Sequence, residues 1–383
     1  MSELRMVTLR DLVKSGHLEI GDGYRTKRSE HGTPGLPILR VAEVLDGRIE
    51  PEFTDFVSEQ YRGVMGSKIS RPGDVILTTK GTVGRVAIIP ADSPEFVYSP
   101  QLCYFRTSND KLLASRYLYY WFKGENFWAQ ARSVKSQTDM ADYINLADIR
   151  ALELSLPSRS AQDSIVDILG ALDERIAVNS RIVGTVHSLL AAHYVARSQV
   201  AEIKLKLGEL IELKYGKALK EEDRTHGPIP VFGGNGISGW HKVPLNGGPG
   251  VIIGRKGANA GSVSWSPGPF WPIDTAFYVE PRSGSIPLEF LYFLLEDAGL
   301  RNFVGDSAIP GLNREIALSL TVRIPSEETI RLFVETARPL LVLNARIAQE
   351  SRSIAELRDT LLPKLMSGEI RVRDAEKVVE DVT

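Results

Sequence analysis

The stretch 329–373 limits the possible folds more than any other part of the chain, because its apolar residues recur at a spacing of seven. The row consists of Phe333, Leu340, Ile347, Ile354 and Leu361, and Leu343 and Leu357 each lie three positions after one of its members. Such a row is typical of a coiled-coil helix, which buries its apolar seam against a second helix of similar length. The sequence therefore predicts a partner helix elsewhere in the chain.

The stretch 160–197 fits the partner helix. It carries two adjacent rows of seven-residue spacing, Ile168, Ile182 and Leu189 in one and Leu169, Ile176, Val183 and Leu190 in the other. A shift of 165 positions aligns residues 178–182 with residues 343–347, so the two helices resemble copies. Packed antiparallel, they are predicted to meet through Ile168, Leu172, Ile176, Asn179, Ile182, Leu189, Phe333, Leu340, Asn344, Ile347, Ile354 and Leu361.

Asn179 and Asn344 occupy matching places in the two predicted helices. A single asparagine buried in a helix seam fixes register and partner choice at some cost in stability. The alternative is that both side chains lie on solvated helix faces. Because the asparagine recurs, we favour the register role, and we predict that leucine at both positions would raise stability and loosen the alignment.

Length and composition set the remaining limits. A chain of 383 residues with 43% hydrophobic and 25% charged residues suggests two or three ordinary globular domains. The single Cys103 excludes a disulfide framework and a cysteine-rich zinc site, and the six histidines lack the spacing of metal ligands, so no metal is expected. No apolar run reaches the roughly 18 to 20 residues of a membrane span. We therefore expect a cytoplasmic protein with no membrane partner.

The two halves of the chain repeat one pattern. In each half a short apolar strand, a basic glycine turn and a returning strand precede an aromatic helix, a closing strand and one long helix. The predicted fold class is α+β, a mixed α/β arrangement of two similar globular domains joined by two long antiparallel coiled-coil helices with pseudo-two-fold symmetry. The predicted bounds are 1–158 and 204–325 for the domains, 159–203 and 326–370 for the long helices, and 371–383 for a C-terminal tail.

The basic glycine turns are the candidate functional surface. Two similar domains held apart by helices about 55 Å long suit a bipartite target, such as two separate half-sites in duplex DNA. Glycines let the backbone approach a ligand, while Lys and Arg contact phosphates and Asn can pair with adenine. Because the net charge of the chain is −2, DNA binding requires either that the positive charge is concentrated locally or that a partner protein contributes to the binding. The candidate DNA-binding residues are Lys68, Arg71, Thr79, Lys80, Gly81, Thr82, Arg85, Asn235, Arg255, Lys256, Gly257 and Asn259.

Several strings taken together resemble the specificity (S) subunit of type I restriction-modification systems. They are the Thr-Lys-Gly-Thr-Val-Gly turn at 79–84 and the Gly-Arg-Lys-Gly-Ala-Asn-Ala-Gly turn at 254–261. Leu-Pro-Ser and Ile-Pro-Ser also precede the two long helices, and the second helix ends in Leu-Leu-Pro-Lys-Leu-Met-Ser-Gly-Glu-Ile at 361–370. The first helix ends instead in residues 193–197, His-Tyr-Val-Ala-Arg, which departs from that ending.

The resemblance implies two target-recognition domains that each bind one half of a bipartite, asymmetric sequence in double-stranded DNA. It also implies that the two long helices set the spacer and dock two methyltransferase (M) subunits, with restriction (R) subunits completing the complex. S-adenosylmethionine, ATP and Mg are then expected on the partner subunits, and this chain is expected to hold no cofactor and no catalytic residue. The departure at 193–197 predicts that the two M-docking surfaces differ.

Two alternatives remain. A basic glycine turn is often only a solvated turn, and a coiled-coil adaptor could bring two protein clients together without touching DNA. A free-standing methyltransferase is less consistent with the sequence. Residues 232–236 match a Phe-x-Gly-x-Gly motif of such enzymes, but the companion Asn/Asp-Pro-Pro-Tyr/Phe motif is absent.

Overall fold

The computed structural model describes residues 5–108, 111–134, 136–138, 141–199, 203–282, 286–305 and 310–380. The chain forms two compact units, unit 1 from residues 1–176 with 353–383 and unit 2 from residues 177–352. Both boundaries fall inside the long helices α6 (Arg159–Ser198) and α10 (Glu327–Ser367), which lie within the predicted ranges 159–203 and 326–370. Each unit therefore consists of one globular domain and a share of both long helices.

Unit 1 is built from short strands and helices. Its strands are β1 (Arg5–Thr8), β2 (Leu18–Asp22), β3 (Gly35–Leu39), β4 (Phe56–Ser58), β5 (Val75–Thr78), β6 (Val86–Ile88), β7 (Val97–Tyr98), β8 (Leu102–Thr107), β9 (Ser136–Thr138), β10 (Ala141–Tyr143) and β11 (Glu153–Leu156). Its helices before α6 are α1 (Leu9–Lys14), α2 (Arg62–Met65), α3 (Ser115–Lys123), α4 (Glu125–Val134) and α5 (Leu146–Ala151).

Unit 2 has its own series of elements. Its strands are β12 (Ile203–Lys206), β13 (Ile211–Tyr215), β14 (Ile229–Gly233), β15 (Gly236–His241), β16 (Gly250–Gly254), β17 (Val263–Ser266), β18 (Trp271–Pro272), β19 (Ala276–Pro281), β20 (Val304–Gly305), β21 (Gly311–Leu312) and β22 (Thr321–Ile324). Its helices before α10 are α7 (Leu207–Leu210), α8 (Leu288–Asp297) and α9 (Arg314–Ser319).

The two units share one strand topology. A four-stranded antiparallel sheet has the order β2-β8-β5-β6 in unit 1 and β13-β19-β16-β17 in unit 2. A three-stranded sheet has the order β4-β3-β7 in the first and β15-β14-β18 in the second, and the strand that opens each domain pairs with the strand that closes it, β1 with β11 and β12 with β22. The predicted duplication is therefore confirmed in strand order and pairing.

Some predicted elements are divided in the structure. The aromatic helix predicted in the first half is two helices, because Gly124 takes an extended conformation between α3 and α4. The closing strand predicted there is β11, and the short helix α5 comes directly before it. The aromatic side chains of α3 are buried, among them Tyr117, Tyr120 and Trp121, which form core rather than an exposed stacking surface.

The parts of α6 and α10 that belong to unit 2 are antiparallel. Asn344 donates a hydrogen bond from Nδ2 to the Val183 carbonyl at 3.2 Å, and the His193 ring lies 5.5 Å from the Phe333 ring. Residue numbers thus rise along α6 while they fall along α10. In unit 1, the two helices are joined by an ion pair of 2.7 Å between Arg358 and Asp173.

Fewer residues are buried between the two long helices than the sequence predicted. In unit 1, Ile168, Leu172, Ile354 and Leu361 are buried in one core and Ile176 packs against it. In unit 2, Phe333 is fully buried, Asn179 is nearly so, Leu340 packs against the core, and Asn344 and Ile347 are half-buried. These positions follow the alternating spacing of three and four residues that keeps one stripe of a helix facing its partner.

Ile182 and Leu189 were predicted in the interface, and this was wrong. They are 39% and 59% exposed, whereas the neighbouring Leu190 is fully buried. One residue turns a helix by about 100°, so the row that contains Ile182 and Leu189 lies beside the seam and Leu190 lies in it.

The C-terminal region completes unit 1. The range predicted as a tail, 371–383, contains helix α11 (Val372–Glu380), and residues 381–383 lie outside the described residues. Ala375 is fully buried, and residues of the last turns of α10, Leu362, Leu365 and Met366, belong to the same core. None of the described helices has the combination of length and apolar character that a bilayer span requires.

Candidate nucleic-acid interface

The basic turn of unit 1 connects β5 to β6. Gly81 and Gly84 have φ angles of +80° and +99°, which L side chains rarely adopt. The turn is closed by the Gly84 N–H, which donates to the Thr78 carbonyl at 2.9 Å, and by the Thr78 hydroxyl, which donates to the Thr82 carbonyl at 2.5 Å. This network leaves Lys80 at the exposed end of the hairpin.

The turn between β16 and β17 in unit 2 has the same construction. Gly261 donates from its N–H to the Gly254 carbonyl at 2.7 Å, as Gly84 does to Thr78, and Gly257 and Gly261 have φ angles of +103° and +80°. Counted from the strand end, Lys256 and Gly257 correspond to Lys80 and Gly81. We call these two pairs, Lys80 with Gly81 and Lys256 with Gly257, the lysine tips.

A second hairpin adds Asn235 to the tip of unit 2. The connection from β14 to β15 packs so closely that a Cβ on Gly234 would lie 2.1 Å from the Lys256 carbonyl oxygen. The Ser262 hydroxyl donates to the Gly234 carbonyl at 3.3 Å. Asn235 and Lys256 are both exposed, so they form one surface. The Phe-x-Gly-x-Gly string at 232–236 is therefore a hairpin connection.

The lysine tips have the properties that phosphate binding needs. Lys80 and Lys256 are exposed, and neither ammonium group has an ion pair or hydrogen bond to any other residue that the structure describes. Gly81 and Thr82 next to Lys80 are also exposed. A free ammonium beside a glycine can reach a phosphate without clashing with its own backbone.

Thr79 and Arg85 were predicted to contact DNA, but the structure uses both within unit 1. Thr79 is 7% exposed, and its hydroxyl donates to the Gln101 carbonyl at 3.0 Å. The Arg85 guanidinium donates to the Val44 carbonyl at 3.1 Å. Both side chains hold the base of the turn, so neither is free to bind a ligand in this conformation.

Lys68 and Arg255 are likewise occupied. Lys68 donates from Nζ to Asp22 Oδ1 at 2.9 Å and to the Gly23 carbonyl at 2.8 Å. Arg255 donates to the Asp274 carbonyl at 2.7 Å. Its guanidinium also lies 5.0 Å from the centre of the Tyr215 ring, a cation–π contact. The charge of Lys68 is thus partly neutralised by Asp22, and the Arg255 guanidinium is held in place by its contacts.

Two further candidates lie away from the tips or within the turn. Arg71 precedes β5, at the opposite end of the hairpin from Lys80, where its N–H donates to Asp74 Oδ2 at 2.9 Å. Asn259 is half-buried, and its carbonyl accepts the Ser262 N–H at 3.0 Å, so its backbone closes the turn of unit 2.

A buried ion pair that the sequence did not indicate supports the β5 hairpin. Asp74 is 1% exposed and accepts hydrogen bonds from Arg106 Nε at 2.8 Å, Arg106 Nη2 at 2.7 Å and the Tyr98 hydroxyl at 2.7 Å. Burial and the Asp74 carboxylate raise the pKa of Tyr98, so this hydroxyl stays protonated and donates. The Asp74 charge is thus compensated inside unit 1 and does not offset the exposed cations.

Among the described residues, no group of three or more His, Cys, Asp and Glu side chains could hold a metal ion. Cys103 is buried, and burial raises the pKa of its thiol, which disfavours the nucleophilic thiolate.

Comparison with known proteins explains the repeated topology. The family model for the type I restriction modification DNA specificity domain matches residues 1–186 and 202–345. The chain belongs to this family. The two matched segments contain one globular domain each, which agrees with the two equivalent sets of strands.

Named relatives of this family agree with the match. The specificity subunit of the type I restriction enzyme EcoprrI from Escherichia coli is 24% identical over 335 residues, which cover 80% of this chain and 81% of the relative. A putative type I specificity subunit from Mycoplasma genitalium is 26% identical over 249 residues, 58% of this chain and 63% of the relative. The resemblance given by the turn motifs and residues 361–370 is thus confirmed.

The fold is also found in a solved structure. The crystal structure of the type I restriction-modification S subunit from M. genitalium superposes with a TM-score of 0.58 at 18% identity, covering 95% of this chain and 96% of that one. The predicted mixed fold of two domains with long helices is therefore confirmed.

Proposed function

We propose that this chain is the DNA sequence-specificity subunit of a type I restriction-modification complex, in which each unit reads one half of a bipartite, asymmetric site through its lysine tip. The observation that carries the proposal is the recurrence of an exposed lysine before a positive-φ glycine on the equivalent hairpin of both units, with neither lysine paired to any of the residues that the structure describes. A solvated turn has no requirement for this pair to recur. A protein that binds two DNA half-sites does.

The residues beside each tip differ, which suits the reading of two different half-sites. Unit 2 presents the Asn235 amide next to Lys256, and Asn can pair bidentately with adenine. Unit 1 presents the Thr82 hydroxyl next to Lys80. Phosphate contacts by the lysines would position each unit, while these neighbouring groups would contact base edges.

Catalysis in this proposal belongs to partner chains. M subunits would bind S-adenosylmethionine and methylate the DNA, and R subunits would use ATP and Mg to restrict it, all in the cytoplasm where the DNA lies. The relatives' names, which describe subunits of restriction enzymes, support a multi-chain assembly. The residues of this chain would supply binding and orientation.

The long helices offer unequal surfaces to two M subunits. In the unit 2 share of α6 and α10, large apolar side chains are exposed at Val178, Ile182, Leu189, Val195, Leu332, Val342 and Leu343. In the unit 1 share, residues 159–176 and 353–367 are all described and expose none. Exposed apolar rows of this kind favour docking of a partner. The contrast supports two docking surfaces that differ.

The lysine tips can be tested by single substitutions. We expect Lys80→Ala and Lys256→Ala each to weaken binding of the cognate site by about 10- to 100-fold, since a hydrogen bond to a charged group contributes roughly 1.5–3 kcal/mol. Because both side chains are exposed and unpartnered within the described structure, folding should be unaffected. Arg71→Ala is the matched control, an exposed cation at the other end of the β5 hairpin.

The measurement is a genome-wide map of methylated adenines in a host that expresses the chain with its partner subunits. The mapped sites define the bipartite target, and methylation at these sites should fall with Lys80→Ala and with Lys256→Ala but not with Arg71→Ala. Intact methylation in both lysine variants would refute the placement of the reading surface. Failure of the assembled complex to shift any duplex in an electrophoretic assay would instead favour the protein adaptor.

A further inference from the structure

A basic loop follows β2 at the sheet edge that carries the unit 1 lysine tip. Strands β2 and β5 both pair antiparallel with β8, so they run in the same direction and end at the same edge. At this edge the Gly23 N–H donates to the Leu102 carbonyl at 3.1 Å, and the Thr79 N–H donates to the Gln101 carbonyl at 2.9 Å. With strands about 4.8 Å apart, the loop and the tip start roughly 10 Å from one another.

The start of the loop is fixed to the sheet. A Cβ on Gly23 would lie 2.0 Å from the Ser99 carbonyl oxygen, so only glycine permits this approach. The next N–H, of Tyr24, donates to the Tyr98 carbonyl at 2.7 Å. Lys68 adds its hydrogen bond to the Gly23 carbonyl. The residues that follow therefore leave the sheet at a defined place beside the tip.

The exposed charge of this loop is entirely positive. Arg25, Lys27 and Arg28 are exposed and form no ion pair with any residue that the structure describes. The one acid, Glu30, is 9% exposed and accepts hydrogen bonds from the Tyr24 hydroxyl at 3.1 Å and from the Lys27 N–H at 3.0 Å. Because Glu30 is held inward, it does not screen the three cations from an approaching anion.

The equivalent loop of unit 2 has the same backbone and a different charge. A Cβ on Gly216 would lie 2.1 Å from the Ile273 carbonyl oxygen, as one on Gly23 would lie close to the Ser99 carbonyl. The Lys217 N–H donates to the Pro272 carbonyl at 2.9 Å, as the Tyr24 N–H does to Tyr98. The turn that follows, Glu221–Asp223, consists of three acids, and Glu222 pairs with Lys220 at 3.3 Å. Lys220 is thus paired with a carboxylate, and the three acids outnumber the two exposed lysines of this loop, Lys217 and Lys220.

We infer that residues 25–28 are a second phosphate-binding element of unit 1, and that unit 2 binds its half of the DNA without such an element. The inference rests on the proposed DNA-specificity function. Consecutive phosphates of one DNA strand are separated by about 3.4 Å along the duplex axis, so two segments that start about 10 Å apart can contact different phosphates of the same half-site. The two half-sites are then held by unequal electrostatic contributions.

The test is the salt dependence of DNA binding by the chain assembled with its partner methyltransferase subunit. The probe is a fluorescently labelled duplex of mixed sequence, and the dissociation constant is measured across a salt series. Each phosphate contact contributes about 0.9 to the slope of log K against log salt concentration. We expect Arg25→Ala, Lys27→Ala and Arg28→Ala combined to lower that slope by up to about 2.7, since three such contacts are removed.

Two controls accompany the triple alanine variant: the first shows whether charge, not side-chain shape, carries the effect, and the second shows whether any loss of positive charge produces it. The charge-conserving triple variant Arg25→Lys, Lys27→Arg, Arg28→Lys should keep the wild-type slope. In unit 2, the double variant Lys217→Ala with Lys220→Ala should change the slope by less than about 0.9, which is the contribution of one phosphate contact.

The outcomes distinguish this inference from the proposed function. If the wild-type complex binds the duplex and the triple alanine variant keeps the full slope, the loop assignment is overturned while the specificity function stands. An equal loss of slope in the unit 2 variant would overturn the asymmetry. If the wild-type complex binds no duplex at low salt, both the inference and the function fail.

Discussion

Replacing Asp74 by alanine removes the acceptor around which the base of the β5 hairpin is organised. The Asp74 carboxylate accepts four hydrogen bonds, two from Arg106, one from the Tyr98 hydroxyl and one from the Arg71 N–H, all between 2.7 and 2.9 Å. In Asp74→Ala the Arg106 guanidinium, only 7% exposed, would keep its bonds to two backbone carbonyls and a pairing of 3.5 Å with the more exposed Glu19.

The expected cost is large for a single side chain. Breaking a buried ion pair by removing one partner costs about 3–5 kcal/mol when the other charge is left buried and unpaired. The remaining contact of Arg106 with the more exposed Glu19 places the expected loss toward the lower end of this range. Domains are stable by only about 5–15 kcal/mol, so unit 1 would lose a considerable part of its stability. Arg106→Ala should be costly for the same reason, and the double alanine variant should lose at least about 1 kcal/mol less than the sum of the singles.

Amide hydrogen exchange read by mass spectrometry is the appropriate assay, since it reports each unit separately in a two-unit chain. In Asp74→Ala, peptides from β5 and β8 should exchange faster, while peptides from β16 and β19 of unit 2 serve as the internal control. A loss below about 1 kcal/mol in unit 1, or strictly additive losses in the double variant, would refute the view that the pair acts as a buried, mutually dependent unit.

Two further predictions concern the turn glycines and a histidine. Gly84→Ala should destabilise unit 1 by about 2–4 kcal/mol in chemical denaturation, because the added Cβ would lie 1.9 Å from Trp128 at a positive φ. Gly81→Ala has open space around it and should cost only about 1–2 kcal/mol, for backbone strain. Equal losses in the two variants would contradict the packing argument. The hydrogen bond that His187 Nε2 donates to the Glu296 carboxylate raises the pKa of His187. Protonated His187 should therefore stabilise unit 2 below the unfolded pKa of about 6.5, and this contribution should vanish as pH rises through the folded value. The melting temperature of His187→Gln should approach that of the wild type at high pH, and a constant difference at all pH values would show that the charge has no role.

The long helices illustrate what the sequence can predict. Apolar residues at a fixed spacing predict that a helix buries one stripe of side chains, and the structure has two long helices, Arg159–Ser198 and Glu327–Ser367. The choice between adjacent rows is harder, because Ile182 and Val183 are equally apolar and differ only by the 100° turn of one residue. That choice depends on which row the partner helix covers, which is a tertiary property.

The lysine tips show a second limit. Residue type identifies cations, and glycine identifies the turn, so Lys80 and Lys256 could be found from the sequence. Whether a cation remains free depends on carbonyls and carboxylates brought near by strand pairing, such as the Val44 carbonyl for Arg85 and Asp22 for Lys68. These partners lie 41 and 46 positions away, a separation at which sequence patterns carry no contact information.

The division of α10 between the units has a consequence for biosynthesis. The core of unit 1 includes Ile354, Leu361 and Ala375, near the end of the chain, while unit 2 is a single continuous segment. On the ribosome, the core of the domain that is translated first is therefore completed only after residues 354–375 have been made, whereas unit 2 can fold before them. A chain released prematurely after unit 2 would carry a folded unit 2 and an open, aggregation-prone unit 1.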